Sequence, residues 1–122
     1  MPATRQQMQR DPRFAIPPDL DGRIAFHYPN AEGRRITASL LDLSIAGLSF
    51  ALDHELPLIV RGARIEGAVL LVADREIEGN VRIMYCSRDE AGPAIYGGIF
   101  YPATERDQLE MNGLLAALAQ FN

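Results

Sequence analysis

The sequence predicts an all-β domain, a barrel or a sandwich, ending in one C-terminal helix. Three observations carry that expectation. Short apolar runs that alternate with polar residues recur at hairpin spacing between residues 23 and 101. Gly, Pro, Asn and Asp collect between those runs, where a chain must turn. Beyond residue 103 the apolar period lengthens to that of a helix.

The elements follow in order. Residues 1–15 are read as a flexible arm bearing arginines, and residues 16–122 as the folded domain. The first 13 residues are polar, rich in Gln and Arg, and without apolar periodicity. "IPPDLDG" (16–22) is an extended link into a turn, because paired prolines hold the chain extended. "RIAFHY" (23–28) sets Ile24, Phe26 and Tyr28 against Arg23, Ala25 and His27, so His27 faces outward. "PNAEG" (29–33) is a turn. "RRITASLLDLS" (34–44) puts Ile36, Ala38 and Leu40 on one face, with Asp42 and Ser44 in the same parity. "LSFAL" (48–52) is a short strand, and "DHELPLIVRG" (53–62) a longer loop. "RIEGAVLLVA" (64–73) and "EIEGNVRIMYCS" (76–87) pair around "DR" (74–75). "RDEAGPA" (88–94) turns the chain into "IYGGIFY" (95–101), the last strand. A helix is expected over about 104–120, started by Thr104 with Asp107 three places on, in the manner of a capping box. Met111, Leu114, Leu115, Leu118 and Phe121 form its apolar stripe, suited to plugging one end of the β structure.

Composition narrows the function. Of 122 residues, 48% are hydrophobic and 23% charged, which suits one domain with its own core. A net charge of −4 argues against binding nucleic acid polymers, which calls for a basic face. Two or three local arginines still suffice for a small anion. Cys86 is the single cysteine, so no internal disulfide is expected; as a strand residue it should be buried and inert. With His27 and His54 the only histidines, a Cys/His zinc site is not expected. A reducing, cytoplasmic setting fits best. No apolar run reaches about 18 residues, so no membrane insertion is expected, and the N-terminus lacks a signal-peptide core.

Catalysis has little support. Ser44 has no G-x-S-x-G setting, and neither histidine stands in a triad context. No glycine-rich loop with a following Lys appears. The acid pairs Asp19/Asp21 and Asp89/Glu90 read as solvated turn residues. Arg34, Arg35, Arg61, Arg64, Arg82 and Arg88 read as solvated strand ends. Two stretches remain. Arg5, Arg10 and Arg13 make a small cationic cluster on the arm, and arginine suits both phosphate and the face of a base. "DLSIAG" (42–47) is a turn whose Asp and Ser can satisfy nearby backbone N–H groups. Gly47 supplies either a positive φ or room for a close approach. The Asp42 carboxylate could equally accept from the two N–H donors of a guanine edge.

Together the two stretches resemble the PilZ domain family. That family joins an R-x-x-x-R arm to a [D/N]-x-S-x-x-G turn between the second and third strands of a six-stranded barrel, with a C-terminal helix. "LLDLSIAGLSF" (40–50) matches the turn in full, "IYGGIF" (95–100) looks like the last strand, and the resemblance covers essentially the whole chain. It implies a six-stranded antiparallel β-barrel and a non-enzymatic receptor for cyclic di-GMP, with no cofactor. In the family the arm arginines grip phosphates and stack on guanine, while the Asp and Ser of the turn fix a guanine edge. Carried over, Asp42, Ser44 and Gly47 take the turn's ligand-binding roles, and Arg13 matches the second arm arginine. The first falls on Gln9, with Arg10 one place late and Arg5 further out. A neutral donor there in place of a charged one costs about 1–2 kcal/mol. Met8 and Gln9, in place of a run of arginines, lean towards one bound nucleotide. The implied output is ordering of the arm and a changed surface for an unidentified downstream protein in motility, exopolysaccharide or pilus regulation. The alternative on the same fold is an interaction module that does not bind the nucleotide.

Overall fold

In the computed structural model, which describes residues 12–88 and 92–122, seven strands and one helix are formed. They are β1 (Phe14–Ala15), β2 (Arg23–Tyr28), β3 (Arg34–Leu43), β4 (Gly47–Leu52), β5 (Arg64–Val72), β6 (Arg75–Arg88), β7 (Ala94–Pro102) and α1 (Glu105–Ala119). A 3-10 turn, Pro18–Leu20, follows β1. The sheet runs β1-β3-β2-β5-β6-β7-β4, and β3 pairs with β4 as well. That pairing closes β2 to β7 into a six-stranded antiparallel barrel. Every expected strand is present, and β1 is an addition: Phe14 and Ala15, read as part of the arm, lie on β3. Phe14, Ile16 and Leu20 pack against the core from outside the ring, which accounts for the extended "FAIPPDL" path.

Closing a barrel with so few strands demands sharp local bends, and three bulges supply them. In β3, Leu40 lies opposite Phe50 and Asp42 opposite Ser49, leaving Leu41 as the extra residue. In β5 the shift falls between Ile65 and Ala68, where Gly67 adopts φ 69°. In β6 it falls between Ile83 and Tyr85.

The interior is one continuous cluster. Phe26 lies 5.8 Å from Phe50, ring to ring, and Phe50 stacks on Tyr96 at 5.4 Å. Tyr96 is fully buried, and its hydroxyl accepts from the Leu56 backbone N–H at 2.9 Å. Leu56 and Ile59 of the 53–62 loop belong to the same cluster, so that loop closes one mouth of the barrel. Met111, Leu114 and Leu118 of α1 belong to it too, so the helix plugs the barrel as its stripe suggested. Leu115 is only partly buried, and Phe121 is exposed rather than part of the stripe. Cys86 is exposed near the end of β6, contrary to the expectation of burial. It lies opposite Tyr96, beyond the bulge, in the outer part of β6 where Met84 to Arg88 are all exposed. His27 faces solvent as expected.

The start of α1 shows the anticipated cap with one variation. Thr104 Oγ1 accepts from the Asp107 N–H at 3.1 Å. The Asp107 carboxylate accepts from the Thr104 hydroxyl at 2.7 Å and from the Glu78 backbone N–H at 2.9 Å, tying the helix to β6. The Glu78 N–H, then the Thr104 hydroxyl, hold the Asp107 carboxyl below its usual value. A lowered native pKa contributes stability above the unfolded value of about 4, and that contribution is lost as pH falls through the native value. Urea unfolding should therefore find Asp107→Asn less stable than the parent at pH 7. The gap should narrow as pH drops below about 4; a gap that stays constant would remove Asp107 from the linkage.

Candidate functional site

The β3 bulge decides where the acid of the turn goes. Up to Leu40 the inward positions of β3 are even-numbered: Ala38 and Leu40 are buried. Unbroken alternation would send Asp42 inward as well, and an unpaired carboxylate in an apolar core is prohibitively costly. One extra residue reverses the phase. Leu43 turns inward, fully buried, and Asp42 turns out to the rim.

The turn itself is held by Ser44. Its N–H donates to the Gly47 carbonyl at 2.9 Å, and its Oγ accepts from the Gly47 N–H at 3.0 Å. Ser44 is 5% exposed, and its hydroxyl is committed to the turn. Gly47 is needed for space. The left-handed glycines among the described residues are Gly62 and Gly67. A Cβ at Gly47 would come 2.9 Å from the Gly98 carbonyl oxygen of β7 and 3.7 Å from an Arg13 guanidinium nitrogen. The Ala46 carbonyl accepts from the Phe100 N–H at 2.9 Å, fastening the turn to β7.

Arg13 completes the group. Phe14 pairs with Leu43 and Ala15 with Asp42. One further step in that register sets Arg13 opposite Ser44 and diagonal to Asp42, within reach of a long side chain. Arg13 Nη1 donates to Asp42 Oδ1 at 2.7 Å, both side chains partly exposed. Four of the expected residues therefore meet: Arg13, Asp42, Ser44 and Gly47. Arg5, Gln9 and Arg10 lie outside the described residues. Chemically this is a mouth with one carboxylate, one guanidinium that keeps further N–H donors, and a floor without side chains at Gly47. Tyr85 lies beside the same sheet region, its ring over Gly97 opposite it. The sequence reading passed over Asn122. Its side-chain amide bonds both backbone groups of Ala15, and no sequence pattern marks a lone amide for that task.

The chain is similar to solved structures. The PilZ domain of YcgR from Escherichia coli with c-di-GMP superposes with a TM-score of 0.73 at 12% identity, over 92% of both chains. The fold is that of a PilZ domain. The MrkH–c-di-GMP complex of K. pneumonia has a TM-score of 0.79 at 20% identity, and Bacillus subtilis MotI/DgrA, an inhibitor of motility, 0.66 at 14%. Each alignment covers 92% of this chain but only 52% of MrkH and 51% of MotI/DgrA, so the chain spans about half their length. No family model matches the sequence. No curated protein matches it.

The close packing at Gly47 can be probed directly. Gly47→Ala should destabilise the domain by about 1–3 kcal/mol in urea unfolding, because its methyl meets a backbone oxygen that cannot rotate away. Stability equal to the parent would mean that β4 and β7 separate freely there.

Proposed function

We propose that this chain is a cyclic di-GMP receptor that works by binding, without catalysis. The observation that carries the reading is the meeting of Arg13 and Asp42 over Gly47 at the barrel rim. A fold shared with YcgR and MrkH, both solved with c-di-GMP, supports it.

Each residue has a physical task in this reading. The Asp42 carboxylate accepts from the paired N–H donors of a guanine edge, since among the described residues only its Oδ1 is engaged, by Arg13. Arg13 offers its remaining N–H groups to a phosphate oxygen and its flat face to a base. Gly47 lets the ring approach the sheet. Ser44 acts by holding the turn, because its hydroxyl is already bonded to Gly47. Arg10, with Arg5 and Gln9, adds phosphate contacts from the arm. Ligand binding orders the arm against the rim and alters the surface offered to a downstream cytoplasmic protein, in motility, exopolysaccharide or pilus regulation.

One observation favours a second reading, a PilZ-fold interaction module that binds no nucleotide. Arg13 and Asp42 already satisfy each other without a ligand, and Gln9 stands where the family's first arginine falls. Calorimetric titration separates the two. Cyclic di-GMP should bind with measurable heat and raise the melting temperature; neither effect at millimolar ligand would leave the interaction module standing. Arg13→Ala and Asp42→Ala should each weaken binding by about 1–3 kcal/mol, as loss of a charge-assisted bond does. Unchanged affinity in both variants would move the site elsewhere. Gln9→Arg restores the R-x-x-x-R spacing and should tighten binding by about 1–2 kcal/mol, roughly tenfold. An equal or weaker affinity would mean that position 9 makes no phosphate contact.

A further inference from the structure

We infer that Asn122 is a positioning residue for the candidate ligand site: its side-chain amide fixes the place and register of β1, and through β1 the guanidinium of Arg13. The inference rests on the receptor reading.

β1 is two residues long. A strand that short has too few ladder bonds to hold its own register, and globular strands usually run to about five or six residues. One of its edges faces β3, and beside it the Ile16 N–H donates to the Leu41 carbonyl at 3.0 Å. The N–H and C=O of Ala15 point the other way, where no strand of the described residues lies. There Asn122 stands in for one. The Ala15 N–H donates to Asn122 Oδ1 at 3.2 Å, and Asn122 Nδ2 donates to the Ala15 carbonyl at 3.4 Å. Nδ2 also donates to the Leu118 carbonyl at 2.9 Å. That carbonyl, in the last turn of α1, also accepts from the Phe121 N–H at 3.0 Å. One amide thus joins the last turn of α1 to both outward groups of Ala15. Three of its four hydrogen-bond valences are used: one acceptance and two donations.

The anchor behind this clamp is firm. Leu118 is fully buried, and Met111 and Leu114 tie the same helix into the core. Ala15 is the residue directly opposite Asp42, and Arg13 is two residues upstream on the same strand. Fixing Ala15 therefore sets the diagonal that brings Arg13 Nη1 to 2.7 Å from Asp42. A slip of one residue would turn Arg13 to the other face of β1. Without the clamp, ligand binding must itself pay the cost of ordering that segment.

If Asn122 only capped α1, its loss would lower stability and leave the affinity for ligand unchanged. Titration of the full chain with cyclic di-GMP distinguishes the two roles when done in the parent, Asn122→Ala, Arg13→Ala and the double variant. Asn122→Ala should bind about three- to tenfold more weakly than the parent, the scale of one modest hydrogen bond lost. In the Arg13→Ala background the same change should have almost no further effect, because the group it positions is gone. Asn122→Asp, which sets an acceptor against two carbonyl oxygens, should behave as Asn122→Ala does. Parent-like affinity in Asn122→Ala, or an equal loss in both backgrounds, would overturn the inference. If the parent binds no nucleotide, the receptor reading fails separately. Amide exchange at Ala15 then judges the clamp: faster exchange in Asn122→Ala supports it, and an unchanged rate overturns it.

Discussion

The extra residue at Leu41 is the constraint on which the site depends. A closed six-stranded barrel must bend β3 sharply, and the bend is made by giving β3 one residue more than β4. The phase reversal that follows buries Leu43 and lifts Asp42 to the rim, in one step and for one reason. Had β3 run without the bulge, the choice would have been between a carboxylate in the core and a leucine in water. Either costs more than the few ladder bonds that a bulge disturbs. The acid in the apolar run is thus a consequence of how the barrel closes.

Strand direction then gathers the remaining parts. The end of β3, the start of β4, the end of β7 and the start of β6 all lie at one end of an antiparallel barrel. That end receives β1, carries the Ser44–Gly47 turn, and is plugged by α1. Arg75 reinforces the arrangement by donating to Glu110 at 2.9 Å, joining the β5–β6 hairpin to the helix. The opposite mouth is closed by Leu56 and Ile59 of the 53–62 loop, and it contributes nothing to the rim around Asp42. Helix, turn and arm strand therefore share one patch of surface, so a contact that moves one bears on the others.

How much of this was legible in the sequence differs from element to element. Period-two alternation announces β2 and β5 plainly, and the Thr104–Asp107 spacing marks the helix start, because these are signals of adjacent residues. The phase of β3 was not legible. Read with unbroken alternation, Asp42 and Ser44 share the face of Ala38 and Leu40, and only pairing with β4 shows that Leu41 drops out of register. Cys86 was misjudged for a related reason, since a residue's burial near a strand end depends on what lies across the sheet. β1 was invisible because two residues carry no period, and its stability comes from β3 and from Asn122, over 25 residues away in sequence in either case. Of the candidate site, spacing alone marked Asp42, Ser44 and Gly47 only as a turn, and the resemblance to the PilZ family singled them out together with Arg13. Their meeting, and the division of labour between a turn-holding Ser44 and a rim-facing Asp42, required the fold.

The weakness of the Arg13–Asp42 pair suits the proposed receptor role, in which both residues exchange partners. Both side chains remain partly in water, and an ion pair so placed contributes about 0–1 kcal/mol. A buried pair would have held the guanidinium and carboxylate to each other and made any ligand pay for their separation. Here the geometry is set by the backbone of β1 and β3, and the pair merely occupies it. A guanine edge or a phosphate that offers hydrogen bonds to charged groups, at about 1.5–3 kcal/mol each, can outbid that pairing without distorting the barrel. The rim therefore keeps its two charges prepositioned yet weakly committed. Rigid strands fix where Arg13 and Asp42 stand, and water leaves them free to change what they hold.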